Sequence, residues 1–278
     1  MKSREEKVTI GRILVAMDPS YRSVGALDVA AELAARLGAE LSAVFVEDVD
    51  LLHLTELPFA MEIGSRSCCL RPVRLVDLER QMRSQADEMR KALAAAAERS
   101  GVTWSFRVTR GPVATEILTA SMEADLVILG KRGWSLSRRL GSTVRFIITR
   151  GKGMALVLQE GAKLKVPVVA IYNTSENADK VLKTAATLAD MKEGKLMVLV
   201  VAPDAETGSE LHGRAAEYLE SRGVEGRVSV LIKPGIALLA HTVHGMGPVV
   251  LPCEQTFLCN DDLCELVNLT ENPVLLIR

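Results

Sequence analysis

The chain repeats itself, and the repeat narrows the folds open to it. Arg12 to Met17 reads as a strand, Asp18, Pro19 and Ser20 as a turn, and Val24 to Leu37 carries apolar residues at helical spacing. Leu41 to Val46 is the next strand. The same order returns later: Val168 to Tyr172 as strand, Asn173, Thr174 and Ser175 as turn, a helix through Leu188, and a strand from Leu196 to Val201. Asp18 and Asn173, Ser20 and Ser175, Leu33 and Leu188, and Leu41 and Leu196 all stand 155 positions apart, so no gap is needed over this stretch. Val108 and Pro112 pair with Val230 and Pro234, and Val127 to Leu129 with Val249 to Leu251, at an offset of 122.

Each half therefore reads strand, helix, strand, a connection, and then three helix-strand pairs. Short apolar strands alternating with helices predict parallel sheets covered on both faces. Right-handed crossovers make each half a doubly wound, Rossmann-like α/β unit. The expected division is 1–160 and 161–278.

The drop in offset places an extra segment in the first half, between Val46 and Asp77, containing Leu57 to Ala60, Gly64, Cys68 and Cys69. It follows the carboxyl end of the second strand, the edge where ligands bind in such sheets. A lid and a mobile surface loop both fit it. Asp77 to Ser100 is expected to be a long amphipathic helix closed by Gly101.

The richest chemical signal is the segment from Gly130 to Ser142. An apolar strand (Leu126 to Leu129) leads in and a helix follows from Thr143. Strand, glycine-rich basic loop and helix start is the order in which backbone amides cradle a phosphate. Lys131, Arg132, Arg138 and Arg139 either contact that phosphate or form a solvated face, and Trp134 either anchors the loop or offers a stacking surface.

Composition excludes several classes. The 278 residues carry a net charge of −1 with charges interspersed, so there is no basic stripe for nucleic acid. No apolar run approaches the roughly 20 residues of a membrane span. The polar start leads directly into a strand without the apolar region of a signal peptide, and five cysteines lack a disulfide-framework spacing; both point to a cytoplasmic setting. His241 and His244 with Cys253, Cys259 and Cys264 match no common zinc spacing, so no metal site is assigned. Adjacent Cys68 and Cys69 would close a strained ring, which argues against a thiol switch. No nucleophile elbow, P-loop or metalloprotease motif is present, and no catalytic residue is assigned.

Ile13 to Ser20, the strand end Val44 to Asp48, and Gly130-x2-Gly133 with Gly141-Ser142 together resemble the universal stress protein family. The resemblance covers both halves, so the chain looks like a tandem member. It implies two five-stranded parallel sheets of order 3-2-1-4-5, arranged as a pseudo-dimer joined through their last strands, to which Val157, Leu158, Leu275 and Leu276 belong. In members that bind ATP, the corresponding positions here are Asp18 and Val46 around the adenine, and Gly130, Arg132, Gly133, Gly141, Ser142 and Thr143 around ribose and phosphates. A carboxylate accepts from the adenine amino group, and glycines admit phosphate oxygens to the backbone.

The family's ATP pattern usually places nine residues between the second and third glycines, whereas Trp134 to Leu140 supplies seven. In the second half Asn173 replaces Asp18, Pro252 replaces Gly130, and Asn260 with Asp261 replaces Gly141 with Ser142. Proline removes an amide donor and aspartate repels a triphosphate, so the second site is expected to be dead. The implied function is a signalling or stress-response module that binds ATP or AMP, with or without magnesium, in its first half and is read by a protein partner. The alternative is a nucleotide-independent scaffold. Turnover beyond a slow ATPase is not expected, and pairing of two such chains into a dimer is left open.

Overall fold

The structure is a computed structural model and describes residues 10–18, 21–63, 68–131, 140–191, 194–254 and 258–278. The first half runs β1 (Arg12–Met17), α1 (Tyr21–Leu37), β2 (Glu40–Asp48), α2 (Val49–His53), β3 (Met61–Ile63), β4 (Leu70–Pro72), α3 (Leu75–Ser100), β5 (Trp104–Gly111), α4 (Val113–Ser121), β6 (Leu126–Gly130), α5 (Ser142–Arg150) and β7 (Met154–Leu158). The second runs β8 (Val168–Tyr172), α6 (Ala178–Asp190), β9 (Leu196–Ala202), α7 (Ala205–Arg222), β10 (Gly226–Ile232), α8 (Ile236–Val243), β11 (Val249–Pro252), α9 (Asn260–Leu269) and β12 (Val274–Ile277).

All but β3 and β4 join one sheet in the order β10-β9-β8-β11-β12-β7-β6-β1-β2-β5. Within each half the strands lie 3-2-1-4-5 and pair parallel. The halves meet edge to edge through β7 and β12, which pair antiparallel with Val157 opposite Val274 and Leu156 opposite Leu275. This junction turns two edge strands into central ones, and both read as unbroken apolar runs, Met154 to Leu158 and Val274 to Ile277, buried throughout.

Side-chain alternation divides the core. Ile13, Val15 and Met17 face a layer that includes buried residues of α1, α3, α6 and α7. Leu14 and Val44 face the opposite layer, with Ile117 of α4, Ile147 of α5, Leu239 of α8 and Leu263 of α9.

Polar groups reinforce the junction. Lys131 is buried, and its Nζ donates to the carbonyls of Asn268 and Thr270, at 2.9 and 2.6 Å, where α9 ends. Cys253, 122 positions later, crosses the other way: its Sγ donates to the Ile148 carbonyl at 3.7 Å, in the last turn of α5. The Arg278 guanidinium also donates to that end, to Ile147 and Ile148. Cations at helix C-termini satisfy carbonyls left without intrahelical donors and oppose the helix dipole.

The 48–76 connection differs from the loop considered above. Asp48 caps α2 by accepting from the Asp50 N–H at 3.0 Å, a 3-10 turn follows at Leu54–Glu56, and β3 and β4 form a hairpin with Glu62 opposite Arg71. The helix α3 begins at Leu75 and ends at Gly101, whose φ of 64° supplies the left-handed closure a Cβ would strain. Its counterpart α7 ends 122 positions later at Gly223 in the same conformation but begins only at Ala205, so α3 carries the longer N-terminal extension.

Candidate functional site

A cleft of about 360 Å³ opens at the carboxyl edge of the first-half sheet. That volume lies in the range of about 300–1,000 Å³ usual for small-molecule sites. Ala16, Met17 and Asp18 enter from the end of β1, Phe45, Val46 and Asp48 from the end of β2, and Leu129 and Gly130 from the end of β6. Gly141, Ser142, Thr143 and Val144 bring the start of α5. The cleft thus sits where strand order reverses between β1 and β6, the topological switch point of a doubly wound sheet.

Of the residues singled out in the sequence, the structure gathers Asp18, Val46, Gly130, Gly141, Ser142 and Thr143 around this one cleft. Arg132 and Gly133 lie outside the described residues, as do Trp134, Arg138 and Arg139. Lys131 is the exception: its amine donates to the end of α9, and its side chain is not among those that line the cleft. Its backbone remains part of the site's frame, because the Gly141 N–H donates to the Lys131 carbonyl at 3.1 Å and draws together the two ends of the intervening segment.

Among the described residues no side chain caps the start of α5. Gly141 is its N-cap, with no side chain to accept from the first turn, and that turn holds no acidic residue. The amides of such a turn are donors waiting for an acceptor, and the helix dipole favours an anion there. Backbone donors and a partly apolar slot suit a phosphorylated ring compound.

The opposite wall comes from elements the motifs did not indicate. Leu51 of α2, Met82 and Gln85 of α3, and Val113 and Ile117 of α4 complete the cleft. The helix α3 is held there by Arg110, which reaches Glu47 at 2.8 Å and Glu79 at 3.3 Å. The Glu47 hydrogen bond, then its charge, pushes the Arg110 guanidinium pKa further up. The only sequence signal for this wall was the extra segment itself, which lengthens α3 past the rim.

The second half closes the equivalent place with its own side chains. Asn173, in the position of Asp18, is buried and accepts from the Ser175 N–H at 3.0 Å. Glu254, in the position of Arg132, accepts from the Glu176 N–H at 2.9 Å and from the Asn177 side-chain amide. The start of α9 carries a capping box: Cys259 Sγ accepts from the Asp262 N–H at 3.5 Å, and the Asp262 carboxylate accepts from the Cys259 N–H at 3.1 Å. Asp261 and Asp262 add negative charge to that first turn. Beside it, Cys253 is shielded and its thiol pKa is pushed up by burial. Among the described residues no three histidine, cysteine, aspartate or glutamate side chains gather to hold a metal ion.

Residues 9–159, more than half of the chain, match the model of the universal stress protein family. The chain belongs to that family. A universal stress protein from Archaeoglobus fulgidus superposes with a TM-score of 0.74 at 17% identity, covering 96% of this chain and 98% of that one. A functionally unknown protein from Pseudomonas aeruginosa gives 0.62 at 14%, covering 96% and 92%. The cytoplasmic domain of a prokaryotic cation chloride cotransporter gives 0.54 at 12%, covering 96% and 95%. At these identities the likeness is one of fold. No curated protein sequence matches the chain. Among the described residues of this universal stress protein, no helix is long and apolar enough to cross a membrane.

Proposed function

We propose that this chain is a tandem universal stress protein of the cytoplasm, binding ATP or AMP in its first half and using its second half as a structural partner. The carrying observation is the asymmetry between two equivalent helix starts. That of α5 is uncapped, free of acidic residues and faces a cleft with Asp18 and Val46 on its far side, whereas that of α9 is capped and doubly acidic. Asp18 accepts from the adenine amino group, Val46 and Phe45 cover the ring, Gly141 lets the phosphates approach the backbone, and the amides of Ser142 and Thr143 serve them, with magnesium offsetting charge where a triphosphate is bound. Of the two carboxylates in the described cleft, Asp18 is assigned to the base and Asp48 caps α2, so the expectation is slow hydrolysis at most, with occupancy itself the signal read by a protein partner.

Calorimetry with ATP and magnesium tests this. Wild type binds, and Asp18→Ala weakens binding about tenfold, the loss of one hydrogen bond to a charged group. No heat from wild type would sink the proposal.

A second reading has an observation of its own. Phe59, Ile63 and Leu70, on and beside the β3–β4 hairpin, are 75%, 68% and 65% exposed. Exposed apolar side chains clustered on one arm mark contact surfaces. A scaffold acting through that arm alone would bind its partner equally with and without nucleotide.

A further inference from the structure

We propose that Gln85 of α3 is the residue that sets base specificity in this cleft, so that the site takes adenine and rejects purines with an oxygen at the same position. The inference rests on the nucleotide-binding reading above and adds a residue to it. Gln85 lines the cleft and is half-buried, and among the described residues its amide has no hydrogen-bond partner. A half-buried primary amide with nothing to pair with loses water contacts on closure and is costly unless a ligand supplies partners.

Its location puts it at the base end. The helix α3 packs over α1, β2 and β5, on the face of the sheet to which Phe45 of the cleft belongs, while the start of α5 approaches from the β6 side. Met82, one turn before Gln85, is buried in the same wall and adds a flat apolar surface for a ring. The ion pairs of Arg110 with Glu47 and Glu79 hold this turn against the strand end.

The chemistry selects the base. A glutamine amide presents one donor and one acceptor side by side, which matches N7 and the 6-amino group of adenine and cannot match the two acceptors, N7 and O6, that hypoxanthine offers on the same edge. Asp18 on the facing strand end is acceptor-only when ionised, so it too favours an amino group over a carbonyl. In the second half position 207, which is 122 residues on, is Thr207, and its N–H is turned to capping, donating to Asp204 at 2.8 Å; the amide is peculiar to the half with the open cleft.

Affinities for ATP and ITP, which differ by one amino group replaced by oxygen, test the assignment in the full chain. Wild type should prefer ATP by at least about tenfold. Gln85→Leu should weaken ATP about tenfold and ITP little, narrowing the ratio. Gln85→Glu keeps the acceptor, loses the donor and sets a charge against the ITP oxygen, so its ratio should exceed that of Gln85→Leu. A packing role would weaken both nucleotides alike and leave the ratio at its wild-type value. That result, or an ATP affinity unchanged within about twofold in both variants, overturns the assignment while leaving the nucleotide reading intact. Absence of binding by wild type removes both, and melting curves of the variants exclude unfolding as the cause of any loss.

Discussion

Lys131 and Cys253 stand at equivalent places in the two halves, and each reaches across the junction to the end of the other half's last helix. The pairing explains why a lysine beside a glycine-rich loop does not serve that loop. Two carbonyls at 2.6 and 2.9 Å hold it at the end of α9.

Lys131→Met keeps the apolar stem and removes the donors. Loss of charge-assisted bonds to two carbonyls should cost about 2 kcal/mol in urea unfolding. Nucleotide affinity should stay within about twofold. A tenfold loss of affinity with unchanged stability would place the amine at the phosphates instead.

Glu254→Ala removes the acceptor for the Glu176 and Asn177 donors. We expect about 1–2 kcal/mol of destabilisation, and no second nucleotide site, because the capping box and the Asp261 charge at α9 remain. A titration of this variant that gained a second equivalent of ATP would show that Glu254 alone keeps the second half closed.

Tyr172, at the end of β8, is buried and donates to Asp179 at 3.0 Å; burial first, and that bond second, push its phenol pKa up to about 12 from 10.0. The neutral form is favoured in the folded chain, so the contribution is fully present below pH 10. It is lost as pH rises through about 12, once the unfolded chain ionises first. Urea midpoints should therefore fall more steeply above pH 10 in wild type than in Tyr172→Phe, by a difference of about 2–3 kcal/mol across that window. Parallel pH curves for the two proteins would rule out the coupling.

The fold was legible because its signals are local and doubled. Apolar strand runs, helical spacing and the fixed 155 offset each marked the same elements, right-handed crossovers made each half doubly wound, and the strand order was implied by the resemblance to universal stress proteins. The site was legible where motif residues sit at strand ends and at one helix start: Asp18, Val46 and Gly130 reach the cleft because β1, β2 and β6 end side by side there, and Gly141, Ser142 and Thr143 because α5 begins beside them. Side-chain direction was not legible. Lys131 was grouped with the loop's arginines because sequence shows proximity along the chain, and the junction that captures its amine lies 137 residues away. The wall of Met82 and Gln85 was hidden for a related reason, since a helix of uniform amphipathic pattern does not show which turn faces a cleft. The segment before it read as a loop, and the short α2 and the β3–β4 hairpin fell below the length at which periodicity is visible.

The number of ATP molecules bound per chain tests the central asymmetry most directly. Equilibrium titration of the full chain with ATP and magnesium should saturate at one per chain, and Asp18→Ala should weaken that single event about tenfold while Asn173→Ala leaves it in place. Saturation at two per chain, or no binding at all, would contradict the account.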